Sequence, residues 1–280
     1  MKSTELILNA DGSVYHLALK PGEVSNIVIT VGDPERVAKV SQLFDTVELK
    51  REKREFVTHT GTYKGKRLSV ISTGIGTDNI DIVFNELHSL KQMEGSLSNP
   101  YRFIRLGTSG TVRNDVEVDS VLISESAIGF DGLLHFYEWS QGEKEIEDLM
   151  QSDSRFLKLP RPYAAFAGKN LLKQFGSLAD TIGVTVTAPG FYAPQGRSVN
   201  APIKVPDFTQ LLSQSSLGGK PITNIEMETA GIYGLASLFG HEAISISAIL
   251  ANRSTGEFSQ KPEKVVEEMI AEALEIIVRD

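Results

Sequence analysis

The sequence predicts an α/β fold in which a mainly parallel sheet is covered by helices. Short apolar runs alternate with amphipathic stretches along the 280 residues, and glycine-containing turns join many of these pairs. This alternation is typical of strand–turn–helix units. With 41% hydrophobic residues, the chain can bury a sizeable core. Because we find no internal repeat and no low-complexity segment, we expect residues 1–280 to form a single domain.

The first strand–turn–helix unit begins at residues 27–31, a continuous β-branched run that is typical of a buried strand. Gly32 ends this strand, Asp33 can cap a following helix, and Pro34 suits the first helical position. Apolar side chains then recur at helical spacing, at Val37, Val40, Leu43 and Phe44. The pattern therefore predicts a strand, a capped turn and a helix.

Further units follow along the chain. Apolar runs predict strands at residues 68–72, 103–106, 120–125, 183–187 and 243–250, and we expect the second of these to end at Gly107. Apolar residues at helical spacing predict helices at residues 80–90, 230–239 and 264–278, the second closed by Gly240. The polar stretches 91–100 and 139–161 are interpreted as insertions that are loop-like or partly helical.

Composition excludes several classes of function. The 28 basic and 36 acidic residues give a net charge of −8, which does not attract nucleic acid or an anionic membrane. The absence of cysteine excludes disulfides, thiolate metal sites and a cysteine nucleophile. The N-terminus has no apolar core of signal-peptide length, and eighteen consecutive apolar residues occur nowhere in the sequence. We therefore expect a cytoplasmic protein that would bind an anion through a few well-placed positive groups.

The first candidate anion site is the turn at residues 32–36, because ligands collect at strand ends in open α/β sheets. Gly32 lets a ligand approach the backbone closely. The helix N-terminus beside it favours an anion, and Arg36 can add a bidentate contact. The alternative is an ordinary capped turn with a solvated arginine.

The second candidate is Arg105, which lies inside an apolar strand. Burying an unpaired guanidinium costs several kcal/mol, so Arg105 needs a carboxylate partner or an anionic ligand. Thr108 and Ser109, between two glycines, offer further donors. The alternative is a structural ion pair, with Glu55 or Glu86 as the partner.

The third candidate is the segment at residues 224–229, where Glu226 and Glu228 flank Met227 just before a helix. Carboxylates accept hydrogen bonds in bidentate fashion, which suits the diol of a ribose. Methionine provides an adaptable apolar wall. The alternative is a helix N-terminus whose acidic residues compensate the helix dipole.

The fourth candidate is the loop at residues 190–197, in which Phe191 can stack on a planar base. Gln195 supplies a donor and an acceptor, and Arg197 supplies a fork of donors. Uracil presents an N–H between two carbonyls, and Gln195 and Arg197 together could recognise these groups by hydrogen bonding. The alternative is a surface loop.

Composition alone gives no role to Arg54, in a basic stretch, or to the lone His16.

Taken together, these segments resemble the nucleoside phosphorylase-I family, and within it the uridine phosphorylase branch. The resemblance extends from residue 16 to about residue 253. It rests on five segments in the family's order: GDPER at 32–36, KREF at 53–56, STGIG at 72–76 with RLGTSG at 105–110, FYAPQGR at 191–197 and EMETAGIYGLA at 226–236. Each segment alone is weak evidence for the family, whereas the five segments in this order are highly specific for it.

The resemblance implies a single three-layer αβα domain with a mixed, mainly parallel central sheet. It implies a pentosyltransferase that converts uridine reversibly to uracil and ribose 1-phosphate in pyrimidine salvage, with phosphate as co-substrate and no metal. The implied phosphate ligands are Gly32, Arg36, Arg54, Arg105 and Thr108. The implied ribose ligands are His16, Glu226, Met227 and Glu228, and the base ligands are Phe191, Gln195 and Arg197.

The resemblance also implies self-association and assigns the chemistry to particular groups. Arg54 and His16 would come from a neighbouring subunit, which makes the active unit at least a homodimer, and in the family such dimers often assemble into a hexamer. The catalytic groups would be Arg197, Arg105 and Glu228.

Two observations favour a pyrimidine base. Purine-specific relatives carry an aspartate that we place at Ala251 here, and the Gln-x-Arg pair at 195–197 belongs to the uridine branch. A purine phosphorylase or a nucleosidase of the same fold remains the alternative, although nucleosidases lack the three phosphate arginines. A dehydrogenase is disfavoured because Gly74-Ile75-Gly76 lacks a third glycine. A non-catalytic nucleoside- or phosphate-binding protein stays open.

The sequence departs from the family pattern at three places. Ala193-Pro194 shifts the turn after the aromatic residue by one position. Residues 77–79 read Thr-Asp-Asn, where a serine helps to hold a potassium ion in some bacterial relatives, so a monovalent cation site stays open. The stretch 139–161 is longer than usual and receives no role.

Overall fold

The fold of residues 5–279, the part of the chain that the computed structural model describes, is built on one large sheet with helices on both faces. The strands are β1 (Ile27–Val31), β2 (Thr46–Lys53), β3 (Phe56–Tyr63), β4 (Lys66–Ser72), β5 (Arg102–Thr111), β6 (Val121–Gly129), β7 (Tyr163–Phe166), β8 (Thr181–Thr187), β9 (Ser216–Leu217), β10 (Lys220–Glu226) and β11 (Glu242–Asn252). The α-helices are α1 (Pro34–Ser41), α2 (Thr77–Met93), α3 (Glu143–Ser152), α4 (Lys169–Phe175), α5 (Phe208–Ser213), α6 (Thr229–Leu238) and α7 (Pro262–Val278).

The sheet is mixed, and part of it closes on itself. The strands run in the order β2-β3-β4-β1-β5-β11-β6-β8-β10-β9, with β7 added to β6 and an extra pairing between β10 and β5. Strands β5, β11, β6, β8 and β10 therefore form a closed barrel, while β2, β3, β4 and β1 extend from it as an open sheet. The pairings of β1 with β4 and β5, of β5 with β11, and of β8 with β6 and β10 are parallel.

Helices cover both faces because successive strand residues point to opposite sides. On β1, Val28 packs in one cluster with α2 and α6, whereas Ile29 packs in another with α1, α4 and α7. A third cluster fills the space between the barrel, α3 and α5. The predicted three-layer α/β architecture with a mixed central sheet is confirmed.

The insertion at residues 139–161 is largely ordered as α3 and a short 3-10 turn at Ser154–Lys158. Ile146 and Leu149 of α3 are buried in the third cluster. The insertion therefore covers one side of the barrel.

Most predicted elements lie where the sequence placed them, but several boundaries differ; β6, for example, continues to Gly129 although we expected it to end at residue 125. Strand β5 does not end at Gly107; it continues to Thr111, because it stays paired with β11 as far as Asn252. Helix α1 ends at Ser41, so Leu43 lies beyond it and is 41% exposed.

The basic stretch around Arg54 lies in a β-hairpin. Strands β2 and β3 form an antiparallel hairpin in which Lys53 pairs with Phe56, so Arg54 and Glu55 form the turn. Arg54 adopts φ 57°, a left-handed conformation that is uncommon outside glycine. The tight turn presents the Arg54 side chain to solvent.

Among residues 5–279, no helix is both long and apolar enough to cross a membrane.

Candidate active site

Two backbone turns meet at the carboxyl ends of the parallel strands β1 and β4. The turn after β1 contains Gly32, and a Cβ added there would lie only 3.5 Å from the carbonyl oxygen of Gly74 in the turn after β4. Asp33 caps α1 as predicted, because its Oδ1 accepts a hydrogen bond from the Glu35 amide at 2.9 Å, and Pro34 opens the helix. The two turns are therefore held against each other beside the start of α1.

Arg105 is buried and paired with both carboxylates of the third candidate segment. Its Nη2 lies 2.7 Å from Glu228 Oε2 and 3.0 Å from Glu226 Oε2. Its Nη1 donates to the hydroxyls of Ser245 and Ser247, each at 3.4 Å. Burial lowers the pKa of Arg105, but the two carboxylates outweigh burial and raise it above its usual value. The expectation of Glu55 or Glu86 as partner was wrong, since Glu226 and Glu228 lie at the strand end that faces β5.

The guanidinium of Arg105 folds back over its own strand, where only glycine leaves enough room. A Cβ added at Gly107 would lie 1.9 Å from Arg105 Nη1. A methyl group there would force the guanidinium away from the two carboxylates. Gly107 therefore determines the position of the charge, although the sequence suggested only a strand end.

Glu226 acts within the chain as the cap of α6. Thr187 Oγ1 donates to its Oε1 at 2.6 Å, and the amides of Glu228 and Thr229 donate to its two oxygens at 2.9 to 3.1 Å. These bonds satisfy the first amides of the helix. With Arg105 added, most acceptor positions of Glu226 are occupied.

Glu228 keeps more capacity to accept a hydrogen bond. Its Oε1 accepts from the Gly76 amide at 2.8 Å, and its Oε2 accepts from Arg105. Each carboxylate oxygen has two acceptor positions, so one remains on each oxygen. Burial raises the pKa of Glu228, and the charge of Arg105 opposes that shift. Met227 lies between the two carboxylates and is partly buried.

Arg36 completes a positively charged corner beside Gly32. Its Nη1 reaches toward the carbonyl oxygen of Leu106 on β5 at 3.4 Å. Burial and, secondarily, the nearby charge of Arg105 lower the pKa of Arg36. Thr108 follows on β5 and is partly exposed. An anion bound here would relieve the repulsion between the two arginines.

The loop after β8 carries an assembled set of polar and aromatic groups. Arg197 Nη1 donates to Gln195 Oε1 and to the carbonyl oxygen of Phe191, both at 2.6 Å. The Cζ atom of Arg197 lies 3.9 Å from the centre of the Phe191 ring. Gln195 is buried, whereas Phe191 is 53% exposed. The structure thus brings together the three residues predicted to contact a base.

Sequence reasoning missed Arg253, which follows β11 and extends toward the same loop. Its Cδ lies 3.5 Å from the position that a Cβ on Gly110 would occupy. Burial and, secondarily, the charge of Arg197 lower the pKa of Arg253 to about 10. Its Nη1 is buried and has no hydrogen-bond partner among residues 5–279. An arginine directly after an apolar strand was the available signal, and Ala251 two residues earlier offers no acid.

His16 and Arg54 both lie near the ring of Tyr15. The His16 ring is 4.9 Å from the Tyr15 ring, and the Arg54 guanidinium lies 6.0 Å from the same ring. His16 Nδ1 contacts Glu86 Oε1 at 2.6 Å. Glu86 stands ten residues along α2 from Gly76, a distance of about 15 Å in a helix. His16 and Arg54 therefore lie beside the same tyrosine ring, and the hydrogen bonds of residues 5–279 connect neither of them to Glu228.

Comparisons with known proteins show which family the chain matches. A family model described as the phosphorylase superfamily matches residues 26–279. A uridine phosphorylase of Thermococcus kodakarensis is 32% identical over 98% of this chain and 90% of its own length. A DeoD-type purine nucleoside phosphorylase of an Exiguobacterium species is 31% identical over 94% of this chain and 97% of its own.

Solved structures extend the comparison to the fold. The Trypanosoma brucei nucleoside phosphorylase, a protein that shows uridine phosphorylase activity, superposes with a TM-score of 0.89 at 29% identity, covering 98% of this chain and 100% of the other. A uridine phosphorylase of Vibrio fischeri has a TM-score of 0.71 at 23% identity, over 95% of this chain and 96% of its own. At that lower identity the second likeness concerns the fold alone.

Replacing Gly107 with alanine should weaken binding of inorganic phosphate at least tenfold, because the new methyl group displaces the Arg105 guanidinium. Separating Arg105 from its buried carboxylates should also lower the unfolding free energy by about 3 kcal/mol. Titration calorimetry with phosphate and urea unfolding measure the two effects. Gly110→Ala is the matched control, since its nearest contact would be an ordinary 3.5 Å. Unchanged phosphate affinity in Gly107→Ala would contradict the role given to Arg105.

Proposed function

The chain belongs to the phosphorylase superfamily, and we propose that it acts as a uridine phosphorylase, a pentosyltransferase that converts uridine and phosphate reversibly to uracil and ribose 1-phosphate. The observation that carries the choice of base is the Gln195–Arg197 pair, which is assembled against Phe191. The pair can donate to both carbonyls of uracil and accept from its N–H. The absence of an acid at Ala251 supports the same choice.

Phosphate binding is assigned to the corner formed by Gly32, Arg36, Arg105 and Thr108. The two guanidinium groups supply forked donors, and the start of α1 adds oriented amides. Phosphate is already an anionic nucleophile, so the site needs no base to activate it. Its role is to hold phosphate below C1′ of the sugar, and positioning supplies much of the rate.

Ribose binding is assigned to Glu226, Met227 and Glu228, with the hydrogen bonds to the sugar made chiefly by Glu228. The bonds that Glu226 makes to α6 leave it mainly to position Arg105 and the helix. Glu228 can accept from a ribose hydroxyl while it keeps its bonds to Gly76 and Arg105. The carboxylates also lie close to where positive charge develops on the sugar.

The base loop stabilises the leaving group. As the glycosidic bond breaks, negative charge develops on the uracil ring and its O2. Arg197 is placed to stabilise that charge, an interaction that strengthens in the transition state. The charge of Arg197 helps to lower the pKa of Arg253, and the Arg253 Nη1 is buried without a hydrogen-bond partner among residues 5–279, so we assign Arg253 to the same polar edge of the base.

We propose that the protein self-associates and that His16 and Arg54 serve the site of a neighbouring subunit. Both belong to a patch around Tyr15, and Arg54 is exposed at a hairpin turn. In a symmetric homodimer this patch can reach the phosphate and ribose of the partner, where Arg54 adds a third guanidinium and His16 contacts the 5′-hydroxyl. Such dimers can assemble further into a hexamer.

The proposed reaction uses no resident metal or organic cofactor, since phosphate and the arginines provide the necessary charges. Among residues 5–279, no group of three or more histidine, aspartate or glutamate side chains is arranged to hold a metal ion.

Pure protein mixed with uridine should release uracil only when phosphate is present, because the proposed site binds phosphate through its arginines and uses phosphate, not water, as the nucleophile. The ultraviolet change of uracil release measures the reaction, and inosine is the control substrate. Release without phosphate would indicate a nucleosidase. Activity on inosine alone would indicate a purine-specific enzyme. Inactivity on both uridine and inosine would contradict the proposal.

Replacing Arg197 with alanine should lower kcat for uridine about 100-fold, because Arg197 stabilises charge that exists only in the transition state. Steady-state kinetics at saturating phosphate measures this change. Arg67→Ala is the control, since Arg67 belongs to an exposed pair with Glu48 at 2.9 Å. An unchanged kcat with only a raised KM would assign Arg197 to uniform binding instead.

Mixing two inactive variants should restore activity if sites are shared between subunits. Arg54→Ala disables the partner's site and Arg197→Ala disables its own, so a hybrid dimer contains one intact site. Random assortment should return roughly a quarter of wild-type activity after co-refolding. Separately refolded variants mixed without exchange are the control. No recovery in the co-refolded sample would show that Arg54 serves its own chain.

A further inference from the structure

Two serines of β11, outside the residues assigned to the substrates, contact the Arg105 side chain. In the parallel pairing of β11 with β5, Ser245 lies beside Arg105, so both side chains point to the same face of the sheet. Ser247 lies two residues further along, beside Gly107. Both serines are fully buried, and each hydroxyl accepts from Arg105 Nη1 at 3.4 Å. Nη1 therefore has two neutral hydroxyls as partners.

The two terminal nitrogens of the Arg105 guanidinium differ in their partners. Nη2 lies 2.7 and 3.0 Å from the carboxylates of Glu228 and Glu226. The contacts of Nη1 at 3.4 Å are weaker, since N–H···O bonds usually measure about 2.7 to 3.2 Å. A phosphate that approaches Nη2 meets two negative charges, whereas a phosphate that approaches Nη1 meets only hydroxyls. Nη1 is therefore the nitrogen better suited to an anion.

Helix α6 holds Ser245 at two points. Thr229 and Tyr233 are four residues apart, so they lie on one face of the helix. Thr229 Oγ1 is hydrogen bonded to Ser245 Oγ at 2.8 Å. The Tyr233 hydroxyl accepts from the Ser245 amide at 2.8 Å and donates to the carbonyl oxygen of Ser124 on β6 at 2.5 Å. Burial raises the pKa of Tyr233, so the hydroxyl keeps the proton that it donates.

The Tyr233 hydroxyl lies at the end of the pairing between β11 and β6. Ser245 and Ser124 form the end pair of this antiparallel ladder, and β6 becomes irregular directly afterwards, between Ser124 and Ser126. The hydroxyl bridges the amide of one strand and the carbonyl of the other, so it sets the spacing of the two strands at this point. The main chain and the side chain of Ser245 therefore both depend on α6 for their position.

We propose that Ser245 is a positioning residue for phosphate, held by Thr229 and Tyr233 and acting through Nη1 of Arg105. The inference rests on the proposed phosphorolysis and deepens it, because it identifies what directs the guanidinium toward the anion. Without the Ser245 hydroxyl, Nη1 loses a neutral partner, and the guanidinium can turn further toward the two carboxylates. Phosphate then binds less tightly, whereas the groups assigned to the base keep their contacts.

The test measures the dissociation constant of inorganic phosphate by titration calorimetry on the whole protein, together with the KM values for phosphate and for uridine. In Ser245→Ala we expect phosphate binding to weaken about fivefold, as for the loss of one hydrogen bond, while the KM for uridine stays unchanged. Thr229→Val removes the hydroxyl that holds Ser245 and should weaken phosphate binding in the same direction. Thr229→Ser keeps that hydroxyl and should retain the wild-type affinity.

Ser69→Ala is the matched control, because it also removes the hydroxyl of a fully buried strand serine. The Ser69 hydroxyl accepts from the Ser25 amide at 2.8 Å and lies 2.7 Å from Thr60 Oγ1. Within residues 5–279 it makes no hydrogen bond to Arg105. The control should therefore lower the melting temperature and leave the phosphate affinity unchanged.

A lowered melting temperature in Ser245→Ala with unchanged phosphate affinity would assign Ser245 to stability alone and overturn the proposal. If Ser245→Ala does not fold, unchanged phosphate affinity in Thr229→Val would overturn it in the same way. Wild-type protein that binds phosphate without turning over uridine would overturn the proposed function alone, since the binding measurements still decide this inference. Wild-type protein that does not bind phosphate would overturn both.

Discussion

The buried cluster of Arg105, Glu226 and Glu228 is the interaction on which the rest of the site depends. One guanidinium and two carboxylates have left water, which is favourable only when nearly every polar atom finds a partner. Those partners come from the start of α6, from Thr187 and from the Gly76 amide. The cluster thus ties several strand ends into one unit, with an excess negative charge that further cations can balance.

The closed barrel supplies the geometry that this cluster requires. Strand β5 pairs with β1, β11 and β10, so the residues after Arg105 stay in the sheet and do not turn away at Gly107. Strand β10 ends at Glu226, beside the end of β8 at Thr187. Closure of the sheet therefore brings a carboxylate from a strand about 120 residues away onto a guanidinium in its interior.

Local patterns predicted much of this structure, whereas pairings between distant segments could not be predicted. The cap at Asp33, the α2 stripe and the apolar strands follow from periodicity and capping rules. The partners of Arg105 depend on the register of β10 against β8, which no local rule gives. The position of Arg253 was missed for the same reason, since its side chain lies beside Gly110 of β5, which is remote in sequence.

Burial divides the site into a rigid part and an adaptable part. The groups assigned to phosphate and ribose are held by buried partners, so substitutions there disturb the fold as well as binding. The base loop is largely exposed and is held by few bonds, so its residues can change at little cost to stability. This division explains how relatives described as uridine and as purine nucleoside phosphorylases both match the chain over almost its whole length. Under the proposed function, the choice of base depends on Gln195, Arg197 and the position of Ala251.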